Sequence, residues 1–394
     1  MKHQMKRRRK LEPRQIRNRV LTIVFVVLLM GLALLNLLWP KQSFSQNENR
    51  VLETFPEFSW ETLISGKFTE GFDTYITDHF AFRDVWVGAK TFAEIGILKK
   101  DSGGVYLAKD GYLIERFDTL ERDKQTGQTR YEQNLNYVKT FAENMKARFN
   151  IDVRTMLVPT ASYVLSEKLP AFAPELDQNE LMEQAKTTVP NFLDLRGVLR
   201  AHKEEDIYYR TDHHWTNLGV CYAYGAFCQA VGLQAHPPGW YQTETLSEKF
   251  YGTTYSKASL YTAQPDTITA YHAPQQPEIS VDYNLGRRVT NTLYERSHLE
   301  TKDKYSVFLD GNQPIVKITT QNKNGRKLMI IKDSYANSFA TFAVNDYEEV
   351  TLVDLRHYRA QLSKLVEESG VNEILVLYNV SGFASDANLF LITR

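Results

Sequence analysis

The chain has 394 residues, enough for about two to three domains, and its 47 Lys and Arg balance its 47 Asp and Glu. The balance is uneven: residues 1–19 hold nine of the basic side chains against Glu12 alone, and residues 20–40 hold no charge, which leaves 38 basic and 46 acidic groups beyond. That acidic body excludes nucleic acid as the main partner, two cysteines exclude a disulfide-dense or cysteine-ligated zinc scaffold, and 43% hydrophobic residues exclude a disordered chain.

Residues 20–39 read VLTIVFVVLLMGLALLNLLW, with Asn36 the only strongly polar member. Twenty helical residues rise about 30 Å, the thickness of a bilayer core. Trp39 stands where an interfacial aromatic belongs, and Pro40 ends the helix. The run is longer than the apolar region of a cleaved signal and no small-x-small site follows, so an uncleaved transmembrane signal-anchor is expected. The basic tail 1–19 then stays in the cytoplasm and the chain crosses the cell membrane once, with its C-terminal part outside.

Residues 40–60 are polar, broken by Pro56, and read as a stalk; 61–394 read as one extracytoplasmic domain. Phe68, Phe72, Tyr75, Ile76, Phe80, Phe82 and Val85 recur at helical spacing, which predicts one or two amphipathic helices between 60 and 98. VYLAKDGYLIE (105–115) predicts a hairpin turning at Asp110–Gly111. A helix over 131–149 follows, then a buried strand in IDVRTMLVP (151–159), then helices near 177–186 and 191–203. TNLGVCYAYGAFCQAVG (216–232) predicts a helix capped by Thr216 and stopped at Gly232. It holds Cys221 and Cys228 about 10 Å apart, beyond the roughly 7 Å limit for a bridge, so both are expected as buried thiols.

Residues 240–326, rich in Thr, Tyr and turn dipeptides, read as an irregular β-leaning insertion. The remainder alternates: strand KLMIIK (327–332), helix YANSFATFAV, strand EEVTLVDL, helix YRAQLSKLVEES, strand EILVLYN. Continuous apolar strands alternating with helices indicate an α/β fold with a parallel sheet flanked by helices on both faces.

Ligands of such sheets bind at the carboxyl ends of the strands. Ser334, in KLMIIKDSYANSF, follows a strand and opens a helix whose N-terminal N–H groups can face an oxyanion; alternatively Asp333 or Ser334 merely caps that helix. In IYYRTDHHWTNLG, extended backbone puts Asp212 and His214 on one face and His213 on the other. An acid beside an imidazole is what a serine hydrolase needs. The same residues also suit a histidine pair bonded locally at a helix start, or a metal site, although no further ligand cluster stands at suitable spacing. No cofactor is expected.

Asp212, His213, His214 and Trp215 spell DHHW, and the chain resembles the DHHW protein family of bacterial membrane-anchored proteins, itself similar to the SGNH-hydrolase-like domains of the alginate O-acetylation machinery. The resemblance runs through ENRVL (48–52), GFDTYITDHFAFRD (71–84), VYLAKDGYLIE, LVP (157–159), RTDHHWTNLG (210–219) and IIKDSYANSF (330–339). It implies an SGNH-hydrolase-like fold with Ser334, His214 and Asp212 as a catalytic triad. It also implies an Asn as oxyanion donor, for which Asn379, after EILVLY, is the candidate. The Gly-Asp-Ser block of SGNH enzymes is Lys332-Asp333-Ser334 here, which makes Lys332 a further candidate to face substrate; Arg356, at the same sheet edge, is another.

The implied function is that of a membrane-anchored serine esterase or O-acetyltransferase acting on a cell-surface polysaccharide or other acyl acceptor. A membrane-bound O-acyltransferase would be the partner that delivers acetyl groups. Two other classes stand beside it: a catalytically silent cell-envelope binding or scaffold protein of the same fold, and a metal-dependent hydrolase built on the DHH string.

Overall fold

The computed structural model describes residues 13–45 and 50–394. The greater part of the basic tail 1–19 and the first two residues of the ENRVL stretch lie outside the described residues. The chain forms two compact units, one ending at Lys90 and the other comprising Thr91–Arg394.

In the first unit the apolar run becomes the helix Pro13–Leu38, 26 residues long, long and apolar enough to cross a membrane. A short antiparallel pair, Phe44–Ser45 with Arg50–Val51, follows. The amphipathic stretch makes three helices where one or two were expected: Trp60–Ile64, Lys67–Asp78 and Arg83–Gly96. Ser59 opens the first by a reciprocal capping box with Thr62. Gly66, at φ 81°, breaks it from the second.

The second unit is built on an eight-stranded sheet. Its order is Arg288–Thr290, Ile279–Tyr283, Ile315–Thr320, Glu349–Val353, Lys327–Lys332, Glu373–Asn379, Val153–Val158, Phe192–Asp194. The last five strands of that order are parallel, four of them being the expected apolar runs; the first three pair antiparallel. The sheet is therefore mixed rather than purely parallel, and the stretch 240–326 is more regular than its composition suggests. Three of its strands extend the sheet, and two more, Gln242–Phe250 and Asp266–His272, form an antiparallel ribbon.

Alternation along each parallel strand explains the continuous apolar sequences. Leu328 and Ile330 enter one core layer with Leu375 and Leu377, whereas Met329 and Ile331 enter the other with Ile374 and Val376. Helix Asn217–Val231 begins at Thr216 and ends on Gly232 at φ 72°, as the caps predict. Its two cysteines are buried and unbridged. Helix Arg130–Phe149 is likewise where expected. The expected helix over 191–203 is half wrong: Phe192–Asp194 is an edge strand paired with Thr155–Leu157, and only Arg196–Ala201 is helical. Parallel pairing with the edge of Val153–Val158 outweighs the local helical pattern in those three residues.

Candidate active site

Chain order switches sides around the strand Lys327–Lys332: the next strand, Glu349–Val353, lies to one side of it and Glu373–Asn379 to the other. A crevice opens at the carboxyl ends of strands around such a switch. Ser334 stands there, between the strand and the helix Tyr335–Ala343. Its hydroxyl makes no capping bond. That task falls to Asp333, whose Oδ1 accepts the Tyr335 N–H at 2.9 Å, leaving the serine hydroxyl available.

His214 takes it up: Nε2 lies 2.7 Å from Ser334 Oγ, and Nδ1 lies 2.5 Å from Asp212 Oδ1. The same Oδ1 accepts the His214 amide at 3.0 Å, which bends 212–214 into a local turn. Asp212 Oδ2 accepts the Thr253 N–H at 2.7 Å and its hydroxyl at 3.0 Å. A Cβ at Gly252 would stand 2.2 Å from that oxygen, so glycine is what lets the insertion pass close enough to hold the carboxylate. Tyr305 stacks on the His214 ring, centroids 3.7 Å apart and 11° from parallel. Trp215, wholly buried, donates Nε1 to Tyr335 O at 3.2 Å and Ser338 Oγ at 3.1 Å.

Burial lowers the His214 pKa to about 4, with His213 acting in the same direction and Asp212 against it, so the imidazole is a neutral base at neutral pH. Asp212 is held below the usual carboxylate range: burial would raise it, but the two imidazoles and the bonds from His214 and Thr253 outweigh that. Nδ1 therefore carries the proton toward Asp212, and Nε2 faces the serine as acceptor.

A cavity of about 550 Å³ opens on Ser334, lined among others by Asp212, His213, Arg356 and Asn379. The hairpin 105–115 supplies another wall. Asp110 and Gly111 both take positive φ and Tyr112 N closes the turn on Lys109 O, as the turn sequence predicts. The hairpin is then tied to the DHHW segment by Leu113 N on Arg210 O at 2.7 Å. The Ser334 N–H, at the start of the helix, has no acceptor among the described residues and is free to bind an oxyanion.

The other sequence candidates separate. Arg356 is on the cavity wall and is held by two bonds to the fully buried Asp354, at 2.9 and 2.6 Å. Asn379 also lines the cavity; its Oδ1 caps Ser381 N at 3.0 Å and its Nδ2 reaches Val158 O at 3.4 Å. Lys332 corrects the expectation made for it. It is 1% exposed, absent from the cavity wall, and its Nζ lies 3.6 Å from Asp354 Oδ2. Strand alternation carries its side chain under the sheet edge, where burial lowers its pKa to about 8 against the pull of Asp354. Asp333, also buried, is pushed up to about 6, opposed by the Asn379 and Tyr335 N–H groups.

Ligand atoms of Asp212, His213 and His214 lie within 4.8 Å of one another. Each is already engaged: Asp212 on His214 and Thr253, His214 on Ser334, and His213 Nδ1 on Thr253 Oγ1 at 2.6 Å. A chain of hydrogen bonds suits proton transfer better than it suits a cation. Sequence reading missed Thr253, Gly252 and Tyr305, which come from an apparently irregular stretch with no spacing rule linking them to Asp212. It also missed Glu175, pushed up to about 7 by burial, which receives the hydroxyl of the wall residue Ser162 at 2.5 Å.

Residues 189–353 match the model of the family described as DHHW protein. The resemblance is to that family. Over 269 residues the chain is 24% identical to a probable alginate O-acetylase AlgJ of Pseudomonas syringae pv. tomato, a match spanning 66% of this chain and 65% of the relative's length. Among solved structures, a DHHW family protein from Eubacterium siraeum gives a TM-score of 0.63 at 26% identity, over 74% of this chain and 95% of that one. Bacillus cereus PatB1 gives 0.59 at 19% identity, over 71% of this chain and 97% of its own. With PatB1 the likeness is one of fold, and the sheet with its flanking helices bears out the α/β class.

Proposed function

We propose that this protein is a serine-dependent O-acetyltransferase or acetyl esterase of a cell-surface polysaccharide, held at the outer face of the cell membrane by the helix Pro13–Leu38 with the N-terminus in the cytoplasm. The observation that carries the reading is the unbroken chain Asp212–His214–Ser334 at the head of a cavity, with 2.5 and 2.7 Å links. The named function of the AlgJ relative supports polysaccharide as acceptor and acetyl as the group.

Ser334 Oγ attacks the acetyl carbonyl of the donor while His214 Nε2 takes its proton, and Asp212 stabilises the imidazolium. Negative charge on the carbonyl oxygen is met by the Ser334 N–H, with Asn379 and Arg356 on the same wall. Collapse expels the donor's leaving group with the proton from His214 and leaves acetyl-Ser334. A sugar hydroxyl, or water, then gives its proton to His214, attacks the acetyl carbon, and releases the serine. A membrane-bound O-acyltransferase would supply the acetyl donor on the outer side.

The test is hydrolysis of a chromogenic acetate ester by the full chain in detergent, with mass spectrometry of Ser334. Activity and an acetyl adduct in the wild type, both lost in Ser334→Ala, are expected. Activity that survives Ser334→Ala would remove Ser334 as nucleophile and overturn the reading.

A further inference from the structure

We propose that the turn 80–86, made of the link after the helix Lys67–Asp78 and the first turn of the helix Arg83–Gly96, lies in the headgroup region of the phospholipid bilayer. It rests on the reading of Pro13–Leu38 as a membrane anchor.

Residues 20–38 carry no charge and rise about 29 Å as helix, close to the roughly 30 Å of a hydrocarbon core. Asn36 therefore stands within a turn of the core's outer boundary. Its Oδ1 accepts the Ala81 N–H at 2.7 Å, and the Trp39 ring lies 4.3 Å from that of Phe82. A small cavity of about 140 Å³ is lined by apolar and polar side chains alike, among them Trp39, Phe82 and Val85 together with the polar His79, Arg83 and Asp84. The turn is thus fastened to the outer end of the span. It is also fastened from within the unit: Asp78 Oδ2 accepts the Glu53 N–H at 2.8 Å, and His79 Nε2 bonds Glu53 O at 2.9 Å.

So held, the turn still exposes large apolar side chains: Phe82 48%, Val85 63% and Trp86 57%. Exposed apolar area is unfavourable in water at about 25 cal/mol per Å², and Trp and Phe flanked by charged residues such as Arg83 and Asp84 are what an interface accommodates. Residues 67–90 carry three basic and four acidic side chains, with no basic stripe. Burial of apolar area, rather than attraction to anionic headgroups, therefore holds the turn in place, and zwitterionic lipid suffices.

The experiment uses the full chain with Cys221→Ala and Cys228→Ala, reconstituted in phosphatidylcholine nanodiscs. A fluorophore is attached through Val85→Cys or, in a second preparation, Leu28→Cys, and quenched by lipids bearing a nitroxide either near the headgroup or deep in the acyl chain. The label at position 85 is expected to lose more fluorescence to the shallow nitroxide, and the label at position 28 more to the deep one. Quenching at 28 without quenching at 85 would leave the anchor intact and overturn the interfacial turn, whose apolar surface would then belong to a protein partner. Absence of quenching at 28 would overturn the anchor reading and this proposal with it.

Discussion

Trp215 Nε1 donates to the main-chain oxygen of Tyr335, the residue after Ser334, at 3.2 Å. His214 and Ser334 are 120 positions apart in sequence, and this buried indole couples the end of the DHHW string to the first turn of the helix after Ser334. Tyr335 returns the tie by donating its hydroxyl to His213 O. Two bonds outside the Asp212–His214–Ser334 chain thereby tie the segment holding His214 to the one holding Ser334.

Trp215→Phe keeps most of the apolar bulk but removes the indole N–H bond to Tyr335 O and Ser338 Oγ, which then keep each other and, for Ser338, the Tyr305 hydroxyl. The expected cost is about 0.5–1.5 kcal/mol of stability, read as a lower thermal midpoint by near-UV circular dichroism, together with a fall in kcat on the acetate ester. Unchanged kcat would show that the indole bond does not align the pair.

Gly252→Ala drives a methyl group into the Asp212 carboxylate, 2.2 Å from Oδ2. A displacement on the order of 1 Å in a catalytic group costs about 100-fold, so kcat should drop by at least that factor while far-UV circular dichroism stays unchanged. Near-normal turnover would mean that the loop at 252 yields without moving Asp212.

The pH profile follows from the sign of the His214 shift. Burial lowers its pKa to about 4, so the neutral base is present above that pH and is lost as pH falls through it. The acid limb of kcat/KM on the acetate ester should lie near 4, below the ordinary imidazole value of about 6.5. Asp212 acts to raise that pKa, so Asp212→Asn should move the limb to still lower pH while cutting kcat by about 10⁴. A limb at the ordinary value in the wild type would contradict the buried neutral base.

Local signals were legible wherever one short-range rule dominated. Thr216 and Gly232 bracket their helix because an N-cap oxygen and a left-handed C-terminal residue act within one turn. Asp110–Gly111 makes its hairpin turn because both residues tolerate positive φ. Phe192–Asp194 was misread because its strand exists only through pairing with Val153–Val158. Strands Ile279–Tyr283 and Arg288–Thr290 lie in a polar, turn-rich stretch, and only the open edge at Ile315–Thr320 organises them.

The sequence by itself determined the α/β class, an apolar helix over 20–39, the placement of Ser334 between strand and helix, and the closeness of Asp212 to His214 two residues on. These depend on periodicity, on capping, and on side chains close along the chain. Tertiary structure alone decided that the serine hydroxyl faces His214 rather than capping its own helix, that Thr253 completes the hold on Asp212, and that Lys332 is buried against Asp354. Each of those contacts joins segments at least 20 residues apart, and it is the packing of the sheet, not any local preference, that brings such groups within hydrogen-bonding or ion-pairing distance.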